Sequence, residues 1–240
     1  MANNALTSAL SRQKGLMNEL STVANNIANA NTAGYRSEGM VFTEYVKALS
    51  EGESLSMTRT GAKTIDLTQG ALVQTDDPLD FAIEGEGFFT LETQAGPRLT
   101  RAGGFALNNQ GEIVDSEGRR LFGQGNSPIT IPPGTVDIIV SRDGVVEADG
   151  VPVGQLAVVT APVTELMREG DNMFRAENGF EPSQAFSIMQ GAVENSNVNV
   201  MGEFSRMIEV TRTYEGSKSF MDKESERLKR MIELLGQPQS

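Results

Sequence analysis

The chain has 240 residues, enough for one large or two small domains, and it contains no cysteine, histidine or tryptophan. That composition excludes disulfides, thiolate or imidazole metal sites, and every catalytic arrangement that pairs a nucleophile with histidine. The formal net charge of −12 argues against binding to nucleic acid or to an anionic membrane.

The charge is unevenly distributed along the chain. Residues 1–36 carry three basic side chains and one acidic one (+2), and residues 201–240 carry seven of each sign (0), so residues 37–200 hold −14. The two ends can therefore pack together with little electrostatic repulsion. No apolar run is long enough to predict a transmembrane helix, and the first 15 residues lack the pattern of a cleaved signal peptide.

The first predicted element is a helix from about Asn3 or Asn4 to about Ala30, ended by a left-handed residue at Gly34. Its seam has heptad-type spacing, which is typical of helix-against-helix packing. The seam positions are Leu6, Leu10, Gln13, Met17, Leu20, Ala24 and Ile27.

Four asparagines near the end of this helix, Asn25, Asn26, Asn29 and Asn31, are unusual because asparagine is a mediocre helix former. They indicate either a frayed helix end or amides that hydrogen-bond a neighbouring backbone or subunit and fix register. Both interpretations stay open on physical grounds.

Residues 36–63 have a mixed pattern and are predicted to be a connecting segment, with a loop at Ser50–Ser54. Short alternating runs between turn signals then predict a central antiparallel all-β domain, a sandwich or barrel-like fold, over residues 64–190. The candidate strands are Thr64–Leu67, Ala71–Thr75, Leu79–Ile83, Phe88–Glu92, Glu112–Val114, Val136–Val140, Val145–Ala148 and Gln155–Val159.

A second long helix is predicted from about Val198 or Asn199 to Leu235, capped by Asn195-Ser196-Asn197. Its seam positions are Phe204, Met207, Thr211, Tyr214, Lys218, Met221, Ser225, Leu228, Ile232 and Leu235. The two terminal helices could pair within one chain as a simple hairpin. Apolar residues off the seams, such as Leu16, Ile208 and Leu234, favour contacts among more than two helices, formed when many copies assemble.

Two segments suggest chemistry only weakly. Glu84-Gly85-Glu86-Gly87-Phe88-Phe89 has the glycines of a phosphate loop, but two glutamates would repel phosphate and no helix follows. Asp76, Asp77 and Asp80 could bind Ca²⁺ or supply an acid and a base, yet Asp77-Pro78 is more typical of a turn that enters a strand.

Three stretches resemble the axial proteins of the bacterial flagellum, the family of rod and hook proteins. They are Ala24-Asn25-Asn26-Ile27-Ala28-Asn29-Ala30-Asn31-Thr32-Ala33-Gly34-Tyr35-Arg36, Asp77-Pro78-Leu79-Asp80-Phe81-Ala82-Ile83-Glu84-Gly85-Glu86-Gly87-Phe88-Phe89, and Gln190-Gly191-Ala192-Val193-Glu194-Asn195-Ser196-Asn197-Val198-Asn199 with Met207-Ile208-Glu209 and Arg212-Thr213-Tyr214-Glu215. Ala33 stands where the family often has proline. We call the first and third stretches the N-terminal and C-terminal signatures.

The resemblance implies a structural subunit without enzymatic activity or cofactor. Residues 1–35 and 191–240 would form an inner helical layer around an axial channel, with a coiled-coil seam, and residues 64–190 an outer layer. The implied partners are other rod subunits, further copies of the chain and the flagellar type III export apparatus, with no nucleic acid and no small-molecule substrate. The implied location is the periplasm-spanning rod of the basal body, reached without a cleaved signal peptide.

The length and the β domain favour the proximal-rod type within the family, with the distal-rod type as the alternative. The predicted assembly interface combines the seams with the signature residues. It comprises Leu6, Leu10, Met17, Leu20, Asn25, Asn26, Ile27, Asn29, Asn31, Gly34, Tyr35, Asn195, Asn197, Phe204, Met207, Ile208, Arg212, Tyr214, Met221, Leu228, Ile232 and Leu235. Two other classes compete: a carboxylate-dependent hydrolase with coiled-coil ends, using Asp76, Asp77 or Asp80, and a free coiled-coil adaptor.

Overall fold

The computed structural model describes residues 2–48 and 54–235, with side chains described at 8–41, 63–227, 229–231 and 233. The predicted loop at Ser50–Ser54, apart from Ser54, therefore lies outside the described residues. The side chains of four predicted interface residues, Leu6, Leu228, Ile232 and Leu235, also lie outside the description.

The fold class is α+β, with one helix near each end and a β-rich region between them. Helix α1 spans Ala2–Ala28 and helix α2 spans Val200–Leu235. The strands are β1 (Glu38–Ala48), β2 (Ser54–Ile65), β3 (Leu72–Gln74), β4 (Phe81–Gly85), β5 (Phe88–Thr93), β6 (Gly96–Thr100), β7 (Ala106–Leu107), β8 (Ile113–Val114), β9 (Ile138–Val140), β10 (Val145–Ala148), β11 (Val151–Gln155), β12 (Val158–Thr160), β13 (Leu166–Glu169), β14 (Met173–Ala176), β15 (Glu181–Pro182), β16 (Phe186–Gln190) and β17 (Ala192–Glu194). Neither described helix is both long and apolar enough to cross a membrane.

Contacts divide the chain into two compact units. The helical unit contains the described parts of Met1–Ala28, Glu38–Thr64 and Asn199–Ser240, and the β unit contains Asn29–Ser37 and Ile65–Val198. These bounds differ from the predicted ones. The predicted connecting segment supplies β1 and most of β2, which pair in a two-stranded sheet, while residues 29–37 and 191–198 belong to the β unit.

The β unit is built around a six-stranded sheet in the order β13-β14-β6-β5-β12-β15, in which every neighbouring pair is antiparallel. Its main core lies among β4, β5, β8, β10 and β12, and the rings of Phe81, Phe89 and Phe105 pack there at centroid distances of 5.5–5.7 Å. A second buried cluster surrounds Phe88 and Phe174. Burial of these large side chains supplies most of the driving force for folding of this unit.

Two short strand pairings join the end of the β unit to strands near its beginning. Strand β16 pairs antiparallel with β4, and β17 pairs antiparallel with β3, so that Glu194 lies opposite Leu72. These pairings place the start of the C-terminal signature beside β3 and beside β4, and β4 lies in the second of the three stretches that carry the resemblance.

Most of the candidate strands are present, with shifted ends. Thr64–Leu67 is the main exception, because the strand there begins at Ser54 and ends at Ile65. The cap of α2 is also corrected: the side-chain Oδ1 of Asn199 accepts the Gly202 N–H at 3.1 Å, so Asn199 is the N-cap rather than Asn195–Asn197. Helix α1 ends at Ala28, and Gly34 adopts the predicted left-handed conformation at φ +68°.

Candidate assembly surface and signature junction

Within the helical unit, α1 and α2 lie side by side and antiparallel. Asn26 Nδ2 donates to Glu203 Oε1 at 3.0 Å, and Arg206 Nε donates to Glu19 Oε1 at 2.6 Å. Nearer the start of α1, Leu16 lines the same groove as Val210. Lower residue numbers on α1 thus meet higher numbers on α2, which defines the antiparallel direction.

The contact between these helices leaves much of the predicted seam uncovered. Val23 and Val210 are buried, although neither is a seam position. Leu10 and Met17 are seam positions, yet they are 55% and 51% exposed. Large apolar side chains exposed on the two helices are Leu10, Met17, Val200, Met201, Phe204, Ile208, Phe220 and Met231. We call these eight side chains the apolar helix surface. Heptad-type packing at the predicted seam stays a prediction.

Asn26, in the N-terminal signature, links three elements of the helical unit. Its Nδ2 donates to the Glu38 carbonyl at 2.9 Å as well as to Glu203, and its Oδ1 accepts the Glu38 N–H at 3.0 Å. The amide therefore binds the first residue of β1 as a neighbouring strand would, and it does so while buried. Asn26 fixes where α1, β1 and α2 meet.

In the β unit, the two signatures meet at a buried group of charges. Glu194 from the C-terminal signature pairs with Arg36 from the N-terminal signature, and its other oxygen accepts Arg101 Nη1 at 3.0 Å. The three side chains are almost completely buried. Buried ion pairs are costly to break because removal of one partner leaves a desolvated charge. We call Gly34–Ser37, Arg101, Glu194 and Asn197 the signature junction.

Gly34 is required at this junction because of its backbone conformation and because a side chain would not fit there. Its φ is positive, and a Cβ at this position would lie 2.2 Å from the Arg101 carbonyl carbon. Its N–H donates to the Glu194 carbonyl at 2.6 Å. The glycine of the N-terminal signature thus permits the close approach of the two signatures.

Asn197 closes the other side of the junction. Its Oδ1 accepts the Ser37 N–H at 2.7 Å, and its Nδ2 donates to the carbonyls of Asp66 and Thr68 at 3.0 and 2.9 Å. Its own N–H donates to the Tyr35 carbonyl at 3.3 Å. One asparagine therefore joins three separate segments of the β unit.

Arg168 contacts the ring of Tyr35. The Arg168 guanidinium carbon lies 4.3 Å from the Tyr35 ring centroid and 4.8 Å from that of Phe174, and its Nη2 donates to the Arg36 carbonyl. A guanidinium close to aromatic faces gains cation–π attraction. The aromatic residue of the signature is thus anchored within its own chain.

The structure separates the predicted interface residues into three groups. Asn26, Gly34 and Tyr35 are buried and, like Asn197, contact residues of their own chain. Partly covered are Leu20, Ile27, Asn29, Asn197, Met207, Tyr214 and Met221, and exposed are Leu10, Met17, Asn25, Asn31, Asn195, Phe204, Ile208 and Arg212. The role of all of them between subunits stays a prediction.

Sequence reasoning missed the buried charges of the junction. Arg36 and Glu194 lie inside the signatures, but Arg101 lies in a stretch with no marked pattern. The only available signal was that an arginine and a glutamate occur in two stretches that the resemblance singles out. Their pairing depends on β17 folding back onto β3, which local patterns do not encode.

The two weak chemical candidates are both turns. Asp76 accepts the Gln74 amide at 2.7 Å and has a left-handed backbone, and Asp77 Oδ1 accepts the Leu79 N–H at 2.9 Å. Glu86 and Gly87 connect β4 to β5, as expected for a tight turn. The bond from the Leu79 N–H to Asp77 suits a chain reversal, in which aspartate stabilises the backbone, and the bond to Asp76 comes from the Gln74 side chain.

Three family models match successive parts of the chain. Residues 4–36 match "Flagella basal body rod protein", residues 82–148 match "Flagellar hook protein FlgE/F/G D1 domain", and residues 189–234 match "Flagellar basal body rod FlgEFG protein C-terminal". The first and third include the residues of the signature junction that come from the two signatures.

Similar proteins match over nearly their full length. The flagellar basal-body rod protein FlgF of Caulobacter vibrioides is 36% identical over 98% of both chains, and FlgF of Rhizobium meliloti is 35% identical over 95% of this chain and 96% of its own. The rod protein FlgG of Bacillus subtilis is 28% identical over 96% of this chain and 98% of its own.

Terminal helices, a β unit joined at the two signatures, and the three matches in order define a structural protein of the bacterial flagellar rod. The chain belongs to the flagellar basal-body rod protein family. Within the family it is of the FlgF type, which the comparisons favour over the distal-rod alternative.

Proposed function

We propose that this rod subunit assembles through the apolar helix surface of α1 and α2, as one layer of a tubular drive shaft that transmits torque. The observation that carries the proposal is the exposure of eight large apolar side chains on two helices. Such a surface is costly in water and is typical of a protein interaction site. Neighbouring terminal helices of the same chemistry would cover it and form the coiled-coil layer.

In this proposal the β unit forms the outer part of the shaft, and the partners are further copies of the chain and other rod and hook subunits. The assembly lies in the periplasm-spanning part of the basal body. The subunit reaches it through the flagellar type III export apparatus, without a cleaved signal peptide. It needs no cofactor, nucleic acid or small-molecule substrate.

The test compares two neighbouring positions on α1. Met17 belongs to the apolar helix surface, whereas Asn18 is exposed and polar. Met17→Glu should abolish swimming in a strain that has no other copy of the gene, because it places a charge in the proposed interface. Asn18→Glu adds the same charge and should leave swimming close to normal.

Both variants are also purified, and circular dichroism checks that each retains its fold. Secretion of each variant is measured in the same strain, so that failed export is distinguished from failed assembly. Normal swimming with Met17→Glu, or an equal loss with Asn18→Glu, would contradict the proposed interface.

The competing hydrolase is tested by replacing Asp76, Asp77 and Asp80 with asparagine. A rod subunit carrying these changes keeps its assembly and loses only some stability of the turn. The role of the family as a structural protein and the hydrogen bond that Asp77 accepts from the Leu79 backbone N–H favour that outcome.

A further inference from the structure

Behind the turn between β4 and β5, the β unit contains a small cavity of about 220 Å³. Its lining includes Arg36, Gly85, Glu86, Gly87, Phe88 and Arg101. The cavity is therefore bounded by two guanidinium groups of the signature junction, by glycine backbone and by an aromatic ring. Neither the turn nor the cavity has a part in the assembly proposed above.

The two arginines retain unused hydrogen-bond donors. The side chains of Arg36 and Arg101 are only 1% and 5% exposed. Among the described residues, Nε and Nη2 of Arg36 and Nε of Arg101 have no hydrogen-bond partner. A buried donor without an acceptor costs free energy, more so when it carries charge. A ligand that supplied acceptors here would recover that cost.

The charges of the group do not balance. Among the buried side chains, Arg36 and Arg101 contribute two positive charges and Glu194 one negative charge, while Glu86 adds a negative charge at the exposed lining. Burial lowers the pKa of Arg101 to about 10, an effect that Glu194 opposes and Arg36 reinforces. Arg101 remains a cation at neutral pH, but its charged form is less stable in the folded protein than in water. One monoanion would neutralise the three buried charges.

We propose that this cavity binds a single carboxylate group, held by the guanidinium groups of Arg36 and Arg101. The planar fork of arginine matches the two oxygens of a carboxylate. A phosphate dianion fits less well, because it would exceed the available positive charge and meet Glu86, which is exposed at the lining. The ligand class is therefore a small carboxylic acid or the carboxylate of an acidic side chain.

That carboxylate has two sources. It is either a free small acid or, resting on the proposed assembly, an aspartate or glutamate side chain from a neighbouring rod subunit. A side chain held by assembly acts at a local concentration of about the millimolar range or higher, so it needs only weak intrinsic affinity. The affinity for free acids distinguishes the two sources.

The experiment uses the purified full chain, titrated with sodium acetate, sodium succinate and sodium phosphate at pH 7, with sodium chloride keeping the ionic strength constant. Acetate at about ten times its dissociation constant should raise the unfolding midpoint of the β unit by about 3–5 °C relative to chloride. The Nε–H signals of Arg36 and Arg101 in NMR spectra should shift in the same titration.

Two glutamate variants provide a matched pair. Glu86 lines the cavity and Glu84 does not, and both are exposed, so neither substitution threatens the fold. Glu86→Gln removes a repelling charge and should tighten acetate binding about fivefold. Glu84→Gln removes the same charge two residues away and should leave the affinity as it is in the unaltered chain.

Saturation by acetate or succinate below about 1 mM supports the site with a free acid as its ligand. Saturation only above about 10 mM, with the same response to Glu86→Gln, supports the site with a tethered side chain as its ligand. Acetate that acts no differently from chloride, or equal behaviour of Glu86→Gln and Glu84→Gln, overturns the proposal. The swimming of the Met17 and Asn18 variants is independent of these outcomes, so failure of this site leaves the assembly proposal standing.

Discussion

The side-chain amides of Asn26 and Asn197 each accept a backbone N–H and at the same time donate to at least one backbone carbonyl. Only an asparagine or glutamine side chain carries both a donor and an acceptor in this arrangement. An aspartate would lose the donor and place a charge beside carbonyl oxygens. In each unit, one signature asparagine thus makes the hydrogen bonds to backbone groups that a neighbouring strand would otherwise make.

Replacement of Asn197 by alanine should destabilise the β unit by about 1–3 kcal/mol. The change leaves the Ser37 N–H and the carbonyls of Asp66 and Thr68 without the amide that now bonds them. Urea unfolding measures the loss. Asn195→Ala is the matched control, because Asn195 is exposed and it is its backbone N–H that donates to the Ala71 carbonyl, so its effect should stay within about 0.5 kcal/mol.

The carboxyl of Asp66 should titrate below its usual value of 3.8. Its pKa is lowered first by the Thr68 hydroxyl and then by the Thr68 N–H, which donate at 2.6 and 2.9 Å. Since the folded pKa lies below the unfolded one, the stabilising contribution is present above 3.8 and is lost as the pH falls through the folded pKa.

Thr68→Val removes the hydroxyl donor and keeps the N–H, so the pKa of Asp66 should move up toward 3.8 without reaching it. NMR titration of the carboxyl carbon measures both values. An unchanged pKa in Thr68→Val would show that the hydroxyl is not the main cause.

At the scale of elements, Asn26 joins the end of α1 to β1 and α2. Asn26→Ala removes the hydrogen bonds of a buried amide to Glu38 and Glu203 and should destabilise the helical unit by about 1–3 kcal/mol, with the β unit unaffected. Hydrogen exchange of α1 and β1 amides in the purified chain measures the change. Asn18→Ala, at an exposed position of the same helix, should leave that exchange almost as it was.

The sequence pattern predicts the helices and strands better than it predicts which of them pair with one another. Both helices and most strands follow from periodicity and turn residues, and the left-handed Gly34 follows from helix-end chemistry. The two long strands β1 and β2 could not be predicted, because their mixed composition lacks the alternation of a half-buried strand. The groups of the junction could not be predicted either: Arg36, Arg101 and Glu194 meet through pairings between distant parts of the chain.

For the molecule as a whole, the two units differ in how many apolar side chains they bury. The β unit has two clusters of buried apolar side chains, whereas Val210 is the only buried residue among the described side chains of α2. A unit with few buried contacts opens more often. Amides of α1 and α2 in the purified chain should therefore exchange faster than those of β4, β5 and β6.

The same measurement separates the signature junction from the helix that precedes it. The N–H groups of Gly34 and Ser37 are bonded to Glu194 and Asn197, so they should exchange as slowly as the β unit. Protection of α1 and α2 equal to that of β5 would contradict the expected difference and favour a self-contained helical pair. Rapid exchange at Gly34 and Ser37 would contradict the junction itself.

The position of Asn197 also bears on how such chains can vary. The chain passes between the two units next to Asn29, Ser37, Ile65 and Val198, and Asn197 binds or adjoins three of these crossings. The contacts of Asn197 with Asp66 and Thr68, together with the pairing of β3 with β17, hold the two ends of residues 69–189 together. Parts of that stretch away from Arg101 and Arg168 could lengthen, shorten or be exchanged during evolution, or be grafted by an engineer, whereas these two arginines must stay because they contact the junction.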